Sequence, residues 1–247
     1  MDRKKLASNI IKNAYLNKEG HIGSSLSILD ALICLFDKIL KDDDEFILSK
    51  GHASLGLYAV YLEKEYITEY EFFSFCKFDS KLGGHPSSQK IKKVKISTGS
   101  LGHGLPFSVG LALAKKIKGE TGNIYCLIGD GEANEGTVWE SVLLAGSLGL
   151  NNLICLMDFN GSGERAVRLN TCIDKFKAFN WETDSVNGHC SASIEATLQQ
   201  KSNTPKFIEL LTIKGKGCRI MESNPEWHHK SPSSEKELNE ALENLYL

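Results

Sequence analysis

Gly129-Asp130-Gly131 closes the apolar run Ile124-Tyr125-Cys126-Leu127-Ile128, and a second run, Leu153-Ile154-Cys155-Leu156-Met157, closes in Asp158-Phe159-Asn160. An acid and an amide at the ends of two such runs can hold a divalent cation. Asp130 supplies a charge and Asn160 a neutral carbonyl oxygen, the hard ligands that Mg²⁺ takes together with phosphate oxygens and water. The backbone carbonyl of Ser162, just beyond, is a third candidate ligand. Gly129 and Gly131 allow the backbone to come close to a diphosphate, and a helix opening near Asn134 offers free N–H groups to an anion. The chemistry expected is a metal–diphosphate site, although Asp-Gly by itself marks a turn equally well.

Such a site needs elements that bring Asp130 and Asn160 together. Both runs are short and bounded by polar residues or glycine, as buried parallel strands are. Between them Val138, Val142, Ala145 and Leu148 recur at helical spacing, so the unit reads strand, helix, strand. A right-handed crossover then carries both strand ends to one edge of a sheet, where open α/β sheets hold ligands. Further helical patterns run from Arg3 to Asn17, Leu26 to Leu40, Ala53 to Glu65 and Glu69 to Lys77, and a last helix aligns Leu238, Ala241, Leu242 and Leu245. Further strands are expected at Phe46-Ile47-Leu48, Val94 to Ile96 and Phe207 to Ile213. The fold class is α/β, with a mainly parallel central sheet covered by helices on both faces, in one domain over residues 1–247.

His21, His52, His85 and His103 each stand beside a glycine at the end of a periodic segment. A histidine so placed can donate to a phosphate or exchange a proton with a hydroxyl near neutral pH, or simply satisfy its surroundings. Glu135, in the first turn of a helix, ordinarily complements the helix dipole. Gly99-Ser100 reads as a loop and Asn187-Gly188-His189 as a turn.

In chain order these blocks resemble the amino-terminal, diphosphate-binding domain of transketolases. Gly20-His21-Ile22-Gly23-Ser24-Ser25 and Leu48-Ser49-Lys50-Gly51-His52-Ala53 are similar to that family's first two histidine motifs, and Gly84-His85-Pro86 to the third. Ser97-Thr98-Gly99-Ser100-Leu101-Gly102-His103-Gly104 resembles its glycine-rich cofactor loop. Gly129 to Gly136 with Trp139-Glu140 resembles its thiamine diphosphate signature. Asn187-Gly188-His189, Lys214-Gly215-Lys216-Gly217 and Trp227-His228-His229 are weaker matches.

The resemblance implies that His21 and His85 line the substrate channel, that His52 meets the cofactor diphosphate, and that Gly99 and Leu101 touch its rings. Glu135 is implied to lie in a carboxylate network at a subunit interface. Asp130, Asn160 and Ser162 are implied to hold Mg²⁺, or Ca²⁺ or Mn²⁺ in its place. His228 or His229 matches a further cofactor histidine, and spacing does not choose between them. His103 departs from the family's usual glutamine.

Thiamine diphosphate needs a carboxylate at its pyrimidine nitrogen, which in this family comes from a second domain. After Lys230 only a short helix is expected. The resemblance therefore implies the amino-terminal subunit of a split, two-chain transketolase, with a pyrimidine-domain partner in a heterotetramer. Its expected reaction is transfer of a two-carbon ketol group from a ketose or its phosphate to an aldose. A deoxyxylulose-phosphate synthase-like or other acyloin-forming subunit is the alternative within the superfamily, and a non-catalytic regulatory half is the alternative outside catalysis.

Composition narrows the classes further. A net charge of −2 gives no surface for nucleic acid or membrane. Seven cysteines without Cys-x-x-Cys spacing suit reduced thiols in a cytoplasmic protein, and the charged, amphipathic stretch from Met1 to Leu16 is no signal peptide. Gly161-Ser162-Gly163-Glu164-Arg165-Ala166 fits a dinucleotide fingerprint. It is set aside because Val167 to Thr171 reads as β rather than as the helix that the fingerprint must open.

Overall fold

The computed structural model describes residues 1–163 and 167–246. At its centre lie five strands, β1 (Glu45–Leu48), β2 (Ile124–Gly129), β3 (Leu153–Phe159), β4 (Glu182–Asn187) and β5 (Lys206–Leu211). They form one sheet in the order β1-β2-β3-β5-β4, with every neighbouring pair parallel. The alternation of side chains feeds two apolar layers. Phe46, Leu48, Tyr125, Leu127, Ile154, Leu156, Ile208 and Leu210 point to one face, and Ile47, Ile124, Cys126, Ile128, Cys155, Met157 and Phe207 to the other. Burial on both faces explains why these strands read as continuous apolar runs.

The first layer is covered by α1 (Arg3–Asn17), α2 (Ile22–Ser27), α3 (Leu29–Cys34), α4 (Ser54–Glu63), α9 (Ser191–Gln199) and α10 (Glu235–Glu243). The second is covered by α6 (Gly104–Lys118), α7 (Gly136–Ser147) and α8 (Ile173–Ala178), while α5 (Glu69–Phe73) packs against α1 and α4. Local chemistry sets the helix ends. Asp2 caps α1 by accepting from the Lys4 and Lys5 amides, Thr68 and Glu71 form a capping box on α5, and Gly119 closes α6 at φ +67°.

Several expectations are corrected. The pattern from Leu26 to Leu40 is not one helix. It breaks at Ile28, next to Ser27, whose hydroxyl bonds Asp158 at 2.6 Å, and it ends in a π turn over Leu35–Ile39. The helix expected to reach Lys77 stops at Phe73, and the backbone turns left-handed at Cys76. Val94 to Ile96 is no strand; Val94 is buried, but the segment joins no ladder and Lys95 turns to Glu45 at 2.8 Å. Residues 167–171 form no strand either, and residues 164–166 of the fingerprint lie outside the described ones.

Candidate cofactor site at the carboxyl edge of the sheet

Parallel pairing of Gly129 with Asp158 brings the ends of β2 and β3 side by side, and the Asp130 amide donates to the Asp158 carbonyl at 3.2 Å. Asp130 is nearly buried. Its Oδ1 accepts from the Gly131 amide at 2.7 Å, whereas its Oδ2 is buried with no hydrogen-bond partner. The Asn160 amide is held at both ends: Nδ2 donates to Asp158 Oδ2 at 2.8 Å and Oδ1 accepts from the Ser162 amide at 3.0 Å.

The loop after Asn160 folds down onto Gly131. A Cβ at Gly163 would stand 2.5 Å from the Gly131 nitrogen, so only glycine allows this approach. A cleft of 460 Å³ opens beside it, lined by Asn160, Ser162, Lys214 and His228 among others. Across the cleft Lys214 Nζ lies 3.3 Å from Ser162 Oγ and 2.7 Å from His228 Nδ1.

An uncompensated acidic oxygen and a neutral amide oxygen at one sheet edge suit a hard divalent cation. No group of three or more His, Cys, Asp or Glu side chains that could hold a metal occurs among the described residues. A cation here would complete its shell with phosphate and water, which is how Mg²⁺ is usually bound.

The expected cofactor loop is locked to this edge by Glu132. Its carboxylate accepts from the Gly102 amide at 2.8 Å, the Gly129 amide at 3.1 Å and the Ser49 hydroxyl. Burial pushes this carboxyl above the usual range, against those hydrogen bonds. Gly102, at φ +84°, lies where a Cβ would meet Thr137 Oγ1 at 2.5 Å; Gly99, at φ +142°, lies under the His85 ring, whose Cγ would be 3.1 Å from such a Cβ. Leu101 sits half-buried between them.

The histidines converge above this loop. His21 stacks on His229 with centroids 4.3 Å apart and stands 5.3 Å from His52 and 6.1 Å from His228. Burial, reinforced by neighbouring cationic groups that include His85, pushes His52 down to about 2 and His21 down to about 4. Both rings are neutral near pH 7, so each can accept as well as donate. The geometry separates the two histidines that spacing left open. His228 joins Lys214 beside Ser162, while His229 covers His21 and meets Glu19 at 2.7 Å.

Not every candidate gathers here. His103 is exposed at the start of α6 and makes no side-chain cap. His189 is a strut: Nε2 accepts from the Ile213 amide at 2.8 Å, so Nδ1 carries the proton toward Asp30 at 2.8 Å. Asp30 also takes Arg3 Nε at 2.7 Å, and Arg3 donates to the Lys216 carbonyl at 3.0 Å, which fixes the turn that carries Lys214. Glu135 is exposed, and its carboxylate caps nothing.

Sequence reasoning gave no role to Glu132, Lys50, Asp158, Ser27 or Thr212. Asp158 left one signal, a charge in a β3 position that alternation aims into the apolar face of Ile154 and Leu156. The ammonium of Lys50 and the Ser27 and Thr212 hydroxyls hold its carboxyl below the usual range although burial opposes this.

The carboxyl edge of this parallel α/β sheet thus gathers an orphaned aspartate oxygen, an asparagine amide, close glycine approaches and two neutral histidines, a setting suited to a diphosphate cofactor. Residues 3–246 match the family described as "Transketolase, thiamine diphosphate binding domain". The chain is 37% identical to an apulose-4-phosphate transketolase subunit of Actinobacillus succinogenes, over 96% of this chain and 91% of that protein. It is 33% identical to a 6-deoxy-6-sulfo-D-fructose transketolase subunit of a Clostridium species, over 87% and 85%. The crystal structure of transketolase from Campylobacter jejuni superposes with a TM-score of 0.85 at 29% identity, over 98% of this chain but 41% of that one. The chain belongs to the transketolase family.

Proposed function

We propose that this chain is the metal- and diphosphate-holding subunit of a two-chain transketolase that moves a two-carbon ketol unit from a ketose, or its phosphate, to an aldose. The observation that carries the reading is the buried, unpartnered Asp130 Oδ2 at the same sheet edge as Asn160, with the histidine cluster of His21, His52 and His85 around that edge. Asp130 and Asn160 would hold Mg²⁺, with the Ser162 carbonyl as a further oxygen, and His228 and His52 would meet the diphosphate. When bound, thiamine diphosphate supplies the nucleophilic carbon and the electron sink that ketol transfer requires. The chain's own histidines, His21 and His85, orient the sugar hydroxyls and exchange protons with them.

The partner is a separate chain with the pyrimidine-binding domain, in a two-fold heterotetramer in the cytoplasm. Relatives named as transketolase subunits match this chain over most of its length, whereas it spans about 41% of the Campylobacter jejuni transketolase. Exposed Glu135, with Leu143, Leu144 and Leu148 exposed on and after α7, suits burial against another chain. The test is turnover with Mg²⁺ and thiamine diphosphate. The chain alone is expected to be inactive, and the chain assembled with a pyrimidine-domain partner is expected to turn over a ketose donor. Turnover by the isolated chain rejects the split-enzyme reading, and a preference for pyruvate with release of carbon dioxide moves the assignment to the acyl-transferring branch.

A further inference from the structure

Asp158 is fully buried on the apolar face of β3, and its carboxylate gathers donors from four separate segments. Lys50 Nζ comes from the turn after β1 and Ser27 Oγ, at 2.6 Å, from the end of α2. Thr212 Oγ1 comes from the end of β5 and Asn160 Nδ2, at 2.8 Å, from the loop on Asp130. An asparagine amide is chemically two-faced: its oxygen and nitrogen exchange places by a half-turn about one bond, and only neighbours decide which way each points. An ionised carboxylate accepts and never donates, so opposite Asp158 the NH₂ must face inward. Asn160 Oδ1 is then left toward the Gly161–Gly163 loop, where the Ser162 amide reaches it at 3.0 Å and one lone pair remains for another ligand. Lys50, itself buried, keeps the carboxylate charged there.

We propose that Asp158 is a positioning residue of the cofactor site: by accepting from Asn160 Nδ2 it forces the amide oxygen, rather than the NH₂, toward a divalent cation. The inference rests on the reading of Asn160 as a ligand. It also separates two acids at one edge, since Asp130 offers its free oxygen to the site while Asp158 offers none and instead sets the polarity of its neighbour. Outer groups of this kind orient ligands at metal sites generally.

The test uses the chain assembled with its partner and reads affinity, not turnover, by titration calorimetry of thiamine diphosphate at fixed Mg²⁺ and of Mg²⁺ at saturating thiamine diphosphate. Asp158→Asn gives residue 158 an NH₂ that can face Asn160 Oδ1 and turn the amide round, and affinity is expected to fall about tenfold or more. The exchange variant Asp158→Asn with Asn160→Asp presents an oxygen whichever way residue 160 turns, and it should recover affinity to within about threefold of wild type. Both variants lose the same buried ion pair, so a purely structural role would leave them equally weak. Asn160→Asp alone keeps Lys50 and Asp158 and does not depend on the fold surviving their separation. It sets two carboxylates face to face and is expected to weaken binding despite the added negative charge. Unchanged affinity in Asp158→Asn, an exchange variant no better than Asp158→Asn, or tighter binding in Asn160→Asp alone overturns the role of Asp158. A wild-type complex that binds no thiamine diphosphate with Mg²⁺ overturns the functional reading itself.

Discussion

The two edges of the sheet are built from the same kinds of residue and do opposite things with them. At the amino edge a cleft of 580 Å³, lined by Lys38, Lys41, Asn123, Lys201 and Lys206 among others, is larger than the 460 Å³ cleft at the carboxyl edge. Several of its charges are engaged locally: Lys206 Nζ donates to the carbonyls of Thr197 at 3.1 Å and Gln200 at 2.9 Å, Lys38 pairs with Glu195 at 2.6 Å, and Asp44 takes the Asn123 amide at 2.6 Å. At the carboxyl edge Asp130 keeps a buried acidic oxygen with no partner, and two imidazoles are held neutral. An unsatisfied buried acid costs stability; Asp184 Oδ2, within β4, is orphaned too, whereas Asp130 stands at the strand ends, where open α/β sheets hold ligands. Volume alone would point to the amino edge.

The largest effect that can break this comparison is on cofactor binding. Asp130→Ala removes a ligand together with the charge that balances a cation and should abolish Mg²⁺-dependent binding of thiamine diphosphate in the assembled enzyme. Lys201→Ala, at the amino edge, should leave it unchanged. Calorimetry that finds wild-type affinity in Asp130→Ala would place the metal elsewhere.

Next in size is stability. Lys50→Met strands Asp158 as a buried, unpaired carboxylate, and removing one partner of such a pair costs about 3–5 kcal/mol. Lys206→Met leaves only carbonyls and the part-exposed Glu182 without a donor, a loss of about 1–2 kcal/mol. Urea unfolding of the two variants measures the difference. Equal losses would mean that the carboxyl edge carries no special electrostatic burden.

How much of this was legible in the sequence depends on whether the signal was local. The strands β2 and β3 and the candidate site residues at their ends could be read because burial on both faces makes a continuous apolar run that stops near Asp130 and Asn160. β4 could not be read, because as an edge strand its Glu182-Thr183-Asp184-Ser185-Val186-Asn187 is largely polar. α6 was hidden because its start is the glycine-rich cofactor loop. Asn160 lies two residues from Asp158, but Ser27, Lys50 and Thr212, which Asp158 also joins, come from distant parts of the chain, so no spacing rule connects them. The choice between His228 and His229 likewise needed the position of His21 and Lys214.

The smallest expected effect is the response to acid, and it sharpens the comparison because no histidine lines the amino-edge cleft. In the unfolded chain histidine titrates near about 6.5. In the fold, burial and cationic neighbours lower His21 to about 4 and His52 to about 2, so below the unfolded value the unfolded state binds more protons. Stability therefore rises with pH there and is lost as pH falls. The contribution of both rings is fully present above the unfolded value; that of His21 declines down to about 4 and that of His52 declines further, toward about 2. The urea midpoint of the chain should be flat above neutrality and should already fall between about pH 6.5 and 5, before most carboxylates titrate. Replacing His21 and His52 together by Gln should flatten that segment of the curve, while His103→Gln, exposed outside the cluster, should leave it as it is. An unchanged slope in the double variant would show that acid sensitivity does not originate at the carboxyl edge.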